Sequence, residues 1–327
     1  MSALLAAPDA RHAERRLFTS GVANEPAIGH RLQARFVSRS LLARLPGLAA
    51  EGRVLASFGR ACIIEYGGSD LLALVAPQVG NGPLNAVMER IPDEWSALQP
   101  NGPVRVQGSV IQLGTWAVDL GGAETWEPCP DWSRLRAHSG AVLGRLGRFA
   151  EWVGEQTVQE SLLGLCHDRR RPGVWTDDVV LARARGAAEA LWAGWQGVED
   201  QLRAGAARLA GLGSGLTPAG DDFALGTMVC AWIAHPNPTH YCETVAEVCS
   251  VRTTSLSRAF LWSGAAGELG ASWHCFLDAL DAGSDELVET AMQELLAFGH
   301  SSGADALAGF LWMGLRAEAS VAGRRGL

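Results

Sequence analysis

No two of the seven cysteines stand in CxxC spacing, which excludes a zinc ribbon and a thioredoxin-like redox pair. The cysteines, at positions 62, 129, 166, 230, 242, 249 and 275, read instead as small buried apolar residues of a reducing cytosol. Charge is scarce, at 19% of residues against 48% hydrophobic, which excludes long disordered tracts and allows a sizeable core. Positive charge is outnumbered, and the net charge of −8 excludes the basic face of a nucleic-acid scaffold, although it says nothing about a single pocket. The start, MSALLAAPDARHAERRLF, has no long apolar region behind a basic head, so no signal peptide is expected. The longest apolar candidate for a membrane span, Phe223 to Ala234, is too short for a bilayer. These absences describe a soluble, cytoplasmic chain with neither nucleic acid nor membrane as a partner.

At 327 residues the chain has room for about two domains. Residues 1–130 read as β-rich. RVLASFGRACIIEY, DLLALVAP, PVRVQGSVIQLG and TWAVDL are apolar runs bounded by turn residues. Turns are expected at Gly67-Gly68, Asn81-Gly82-Pro83 and Asn101-Gly102-Pro103. EPCPDW, around Cys129, marks a boundary between about Glu127 and Arg134. Residues 131–327 carry three- and four-residue apolar spacing and read as roughly six to eight helical elements. Thr176-Asp177-Asp178 is an expected helix start, with a helix to about Ala210 that breaks near Gly194 or Gly205 and stops at Gly211. The fold class is α+β: a β-rich N-terminal domain, then an all-helical C-terminal domain carrying glycine-rich motifs.

Chemistry concentrates in GLGSGLTPAGDDFALG, Gly211 to Gly226. Gly215 and Gly220 have P-loop spacing, but Asp221 stands where lysine would meet the phosphate. Gly211, Gly213 and Gly215 follow a helix rather than a strand, which excludes the dinucleotide fingerprint. Thr217 fits an N-cap and Pro218 a first helical position, with a helix expected to about Ala234. Its free amides would face Gly213, Ser214, Gly215 and Leu216 as an anion site. Asp221 and Asp222, one turn inside, would hold Mg²⁺ against an anion, orient an amide-bearing substrate, or accept protons. The plainer alternative is two acids that complement the helix dipole.

GHSSGADALAG, Gly299 to Gly309, repeats this pattern. Gly220 aligns with Gly303, Asp222 with Asp305, Gly226 with Gly309 and Thr217 with His300. Two such helix starts are expected to converge, so that Asp222 and Asp305 face one cavity. Between them lies TTSLSRAFLWSGAAG, where Thr253, Thr254, Ser255 and Ser257 sit between Arg252 and Arg258. That cluster suits carboxylate or phosphate binding, or equally a capped helix start with two solvated arginines.

GxGxGLTPxGDDF followed by GHxSGxD resembles the AllH-like family of uncharacterised-domain proteins, and the likeness extends through the helical half. In the β-rich half it rests on the pair Gly82-Pro83, and Ala219 departs from the serine common in similar sequences. The resemblance implies a subunit of oxamate carbamoyltransferase, working with FdrA-like and AllG-like subunits. That enzyme interconverts oxalurate and phosphate with oxamate and carbamoyl phosphate. On this reading Asp221, Asp222 and His300 are the catalytic candidates. Gly213, Ser214, Gly215, Thr217, Thr253, Thr254, Ser301, Ser302 and Asp305 are the substrate-binding candidates. Mg²⁺ is the one cofactor considered, with no ligand set assigned. Two alternatives stand beside it: a non-catalytic ligand-binding or assembly subunit, and a Mg-dependent nucleotide-binding enzyme.

Overall fold

The computed structural model describes residues 29–45, 49–67, 69–155, 161–166 and 179–325. The expected helix start at 176–178 lies outside them. The N-terminal half contains β1 (His30–Ser38), α1 (Arg39–Arg44), β2 (Ala49–Phe58), β3 (Ala61–Tyr66), β4 (Asp70–Val75), β5 (Asn85–Met88), β6 (Pro103–Gln107), β7 (Val110–Leu113), β8 (Trp116–Asp119) and β9 (Glu124–Trp126). All the expected strand segments form strands, and β1, β5 and β9 join them. Strands pair in the order β5-β4-β3-β2-β6-β7-β8-β1, and β1 also pairs with β5, so the sheet closes into a barrel. β1 is the closing strand. Residues His30 to Gln33 run parallel to β8, while Ala34, Phe36 and Val37 pair antiparallel with β5 across a bulge. An irregularity of this kind bends a strand enough to change partners.

Burial explains which strands were plainest in the sequence. Cys62, Ile64, Tyr66, Leu72 and Leu74 fill the barrel. The alternate residues Ile63 and Leu71 are buried on the outer face, against Leu84, Leu256 and Phe260. A strand covered on both faces reads as a continuous apolar run. In β6 only Val104 and Val106 are buried, so that strand alternates.

The C-terminal half holds α2 (Trp132–Ala137), α3 (Ser139–Leu143), α4 (Leu146–Glu155), α5 (Val179–Trp195), α6 (Glu199–Leu209), α7 (Ala219–Ala234), α8 (Pro238–Ser250), α9 (Ser255–Ala265), α10 (Ala271–Ala282), α11 (Asp285–Leu296) and α12 (Ser302–Arg325). These eleven helices among the described residues exceed the expected six to eight. Left-handed glycines at 197, 267 and 283 cut the chain more often than apolar spacing reveals. Of the two expected breaks, the one near Gly194 forms, at Gly197, whereas a Cβ on Gly205 would stand 2.8 Å from the Leu191 nitrogen, so Gly205 lets α5 and α6 approach.

α7 and α12 form the centre of this half. α7 is buried nearly all round, as its composition, FALGTMVCAWIA, requires. The two helices cross at reciprocal glycines. A Cβ on Gly226 would lie 1.8 Å from the Ala306 carbonyl oxygen, and one on Gly309 would lie 2.0 Å from that of Phe223. Phe223 and Ala306 are equivalent in the alignment of the two motifs, so the crossing has the symmetry expected from the sequence. The same holds nearly two turns earlier. Gly220 presses on the Leu209 carbonyl and Gly303 on that of Leu295, each in the last turn of the preceding helix. Among the described residues, no helix is long and apolar enough to cross a membrane.

Candidate functional site

The loop before α7 is built from left-handed backbone. Gly211, Gly213 and Gly215 have φ of 67°, 115° and 92°, a region that side chains rarely enter. A Cβ on Gly211 would also lie 2.4 Å from the Arg252 carbonyl oxygen. The glycines are therefore accounted for by the chain's own path. Two local expectations change. Pro218, with φ −57° and ψ 140°, is the N-cap in place of Thr217, whose hydroxyl lies 2.7 Å from that of Ser302 instead. Three first-turn amides are also occupied: Gly220 donates to Leu212, and Asp221 and Asp222 donate to Pro218. Those three are not available to an anion. Among the described residues the amides of Gly213 to Thr217 meet no acceptor, and Gly213 to Leu216 are exposed.

The two adjacent aspartates separate. Asp221 accepts from the Gly211 amide at 3.0 Å and from the Thr253 hydroxyl. Burial pushes its carboxyl up and these donors oppose the shift. It ties the loop to the start of α9. Thr254 caps α9 by accepting from the Ser257 amide at 3.1 Å and donates its hydroxyl to the Leu216 carbonyl. Arg252 and Arg258 are exposed, so this cluster is a capped helix start.

Asp222 turns to a different environment. It is 7% exposed, its Oδ2 has no hydrogen-bond partner among the described residues, and it lines a cavity of about 340 Å³ between the barrel and the helices. Burial pushes its carboxyl well above the usual range. The hydroxyls of Ser302 and Thr217 beside it oppose that shift, and the charge of Asp305 adds to it. Thr217, Ser302 and Gly303 line the same cavity. Asp305 is close enough to influence Asp222 but is fully buried and outside the lining, which corrects the expectation of two aspartates facing one cavity. Its Oδ1 accepts from the Leu162 amide at 2.6 Å, its Oδ2 has no partner among the described residues, and burial raises its pKa to about 6. Ser301, beside Asp305, opposes that rise. His300 is exposed and is not part of the lining, so the geometry gives it no place at the site. Ser214 is exposed in the loop.

The rest of the cavity was not evident from the motifs. Glu268 lines it, with Oε1 accepting from the Ser40 hydroxyl of the barrel half. Asn81, Gly82, Pro83 and Asn85 line it as well, and the Asn81 carbonyl accepts from the Ala271 amide at 2.9 Å. The Gly82-Pro83 pair is thus both a turn and a wall. Among the described residues the walls contain two carboxylates and no arginine or histidine, and the chain has no lysine. Among the described residues no three His, Cys, Asp or Glu side chains are grouped to hold a metal ion. Asp222 and Asp305 supply only a pair, and nothing here assigns Mg²⁺.

Two family models match the chain. Residues 209–314, from the end of α6 into α12, match the model described as oxamate carbamoyltransferase subunit AllH. Residues 31–125, the barrel, match the AllH family N-terminal domain. No solved structure matches. The two models lie in the order of the two halves and meet at the cavity that holds Asp222, and the chain belongs to the AllH family, whose name is that of a carbamoyltransferase subunit.

Proposed function

We propose that this chain is the ureide-binding subunit of an oxamate carbamoyltransferase, and that the cavity beside Asp222 holds the ureido group of oxalurate. The observation that carries this reading is the buried Asp222 carboxyl, with one oxygen unpartnered, between the Thr217 and Ser302 hydroxyls. A ureido group offers N–H donors to a carboxylate and a carbonyl to hydroxyls, so the two sets match. The free amides of Gly213 to Thr217 would take the carboxylate end. In the transfer, a phosphate oxygen attacks the ureido carbon and the bond from that carbon to the oxamate nitrogen breaks. The proton given up by phosphate ends on that nitrogen, with Asp222 as relay. A carboxyl raised by burial exchanges protons nearer neutrality than a free one.

Among the described residues the walls hold no cation, which favours a division of labour. Carbamoyl phosphate and phosphate would be bound by partner subunits, for which FdrA-like and AllG-like chains are the candidates. The same observation supports a second reading, in which this chain holds the ureide and the partners perform all of the chemistry. The test is to assemble the chain with those partners and measure carbamoyl phosphate formed from oxalurate and phosphate. Turnover in the complex that falls about a hundredfold or more in Asp222→Asn, with oxalurate still bound, supports a proton-relay role. Undiminished turnover in that variant leaves the second reading, and no turnover in any assembly rejects both.

A further inference from the structure

The cavity is larger and more apolar than a ureide acid needs. Its volume of about 340 Å³ falls among pockets of roughly 300–1,000 Å³ that enclose drug-sized ligands. Its polar end, at Thr217, Asp222 and Ser302, occupies only part of the wall. Away from it, Ile63, Leu71 and Leu84 of the barrel half meet Leu256 and Phe260 of α9 in one apolar cluster, and all five line the cavity. Ala61 and Val75 continue that wall along β3 and β4. An apolar surface lining a cavity is stabilised by whatever removes it from water. Oxalurate, polar at both ends, has nothing to place against it.

We propose that the site accepts N-substituted ureas whose substituent is apolar, with the ureido head at Asp222, Thr217 and Ser302 and the substituent along Ile63, Leu71 and Phe260. The inference rests on the ureido assignment of the polar end and extends it to the opposite wall. The charge of the walls sets the selectivity. With Asp222 and Glu268 present and no cation among the described residues of the wall, a neutral donor head is accepted and a carboxylate head is repelled. Among the described residues the walls give phosphate no cationic partner, in keeping with its being carried to the ureido group by a partner subunit.

The test is calorimetric titration of the full-length chain with methylurea, n-butylurea, n-hexylurea and n-hexanoate. Affinity is expected to rise about fourfold per added methylene until the wall is covered. Hexanoate is expected to bind at least about tenfold more weakly than hexylurea. Ala61→Phe, which adds bulk on the apolar wall, should abolish the dependence on chain length and leave methylurea binding unchanged. Asp222→Asn should weaken the whole urea series about equally. A flat chain-length series, or hexanoate binding as tightly as hexylurea, overturns the proposal. Hexylurea that binds the isolated chain but is excluded from the assembled complex also overturns it, because the apolar wall then belongs to a partner's segment. None of these readings depends on turnover. Carbamoyl transfer from oxalurate with a flat urea series would therefore sink this inference and leave the proposed function standing.

Discussion

The hydroxyl of Thr217 lies 2.7 Å from the hydroxyl of Ser302, joining the start of α7 to the start of α12 beside Asp222. One hydroxyl donates and the other keeps its proton free for a neighbour. Thr217→Val and Ser302→Ala are each expected to lose about 0.5–1.5 kcal/mol of ligand binding, up to about tenfold. A double-mutant cycle on oxalurate affinity should give a coupling of the same order. Full additivity would show that the two hydroxyls act separately.

Asp221 and Asp222 should give opposite phenotypes. Asp221→Asn weakens two hydrogen bonds that hold the loop to Gly211 and Thr253, and is expected to lower stability by about 1–3 kcal/mol. Asp222→Asn removes a carboxylate that burial penalises, so its thermal midpoint at neutral pH should be equal or higher while function is lost. Thermal melts of both variants decide the assignment, and equal destabilisation would contradict it.

Asp305 gives the protein a measurable pH dependence. Its folded pKa is raised to about 6, above the unfolded carboxyl, so the folded state binds the extra proton between those values. Its destabilising effect is absent below the unfolded pKa and grows as pH rises, reaching full size above about 6. The upper bound is about 3 kcal/mol. Denaturant melts from pH 4 to 7 should show wild type losing stability relative to Asp305→Asn as pH rises. Parallel curves would refute this.

Gly226→Ala and Gly309→Ala should each cost about 1–3 kcal/mol, because the new methyl meets backbone that no side-chain rotation can move. Once one variant has pushed the helices apart, the second should cost less than it does alone. Chemical denaturation of the single and double variants measures this, and strict additivity would mean that the two contacts relax independently.

Much of this was legible in the chain itself. RACIIEY and DLLALVA stood out because both faces of β3 and β4 are covered. The sequence pattern locates the start of α7 to within one residue, and matched spacing pairs Gly226 with Gly309. β1 was missed because HRLQARFVS carries charge on its outer face, and β5 and β9 are too short to show a period. The separate fates of Asp221 and Asp222 were not readable. Successive helical residues differ in direction by about 100°, and which direction meets Thr253 and which the cavity depends on packing. Glu268, Leu84 and Phe260 were missed for a related reason: the wall they form joins segments far apart in sequence.

The crossing of α7 and α12 has one further effect. Each contact at Gly226 and Gly309 is made with main chain, so the angle and spacing of the two helices do not depend on the identity of the surrounding apolar side chains. Asp222 and Asp305 stand one turn before those glycines, and the distance between the two carboxyls is set by the same contacts. Exchanges of similar volume between leucine and methionine around the pair leave the acid pair its gauge.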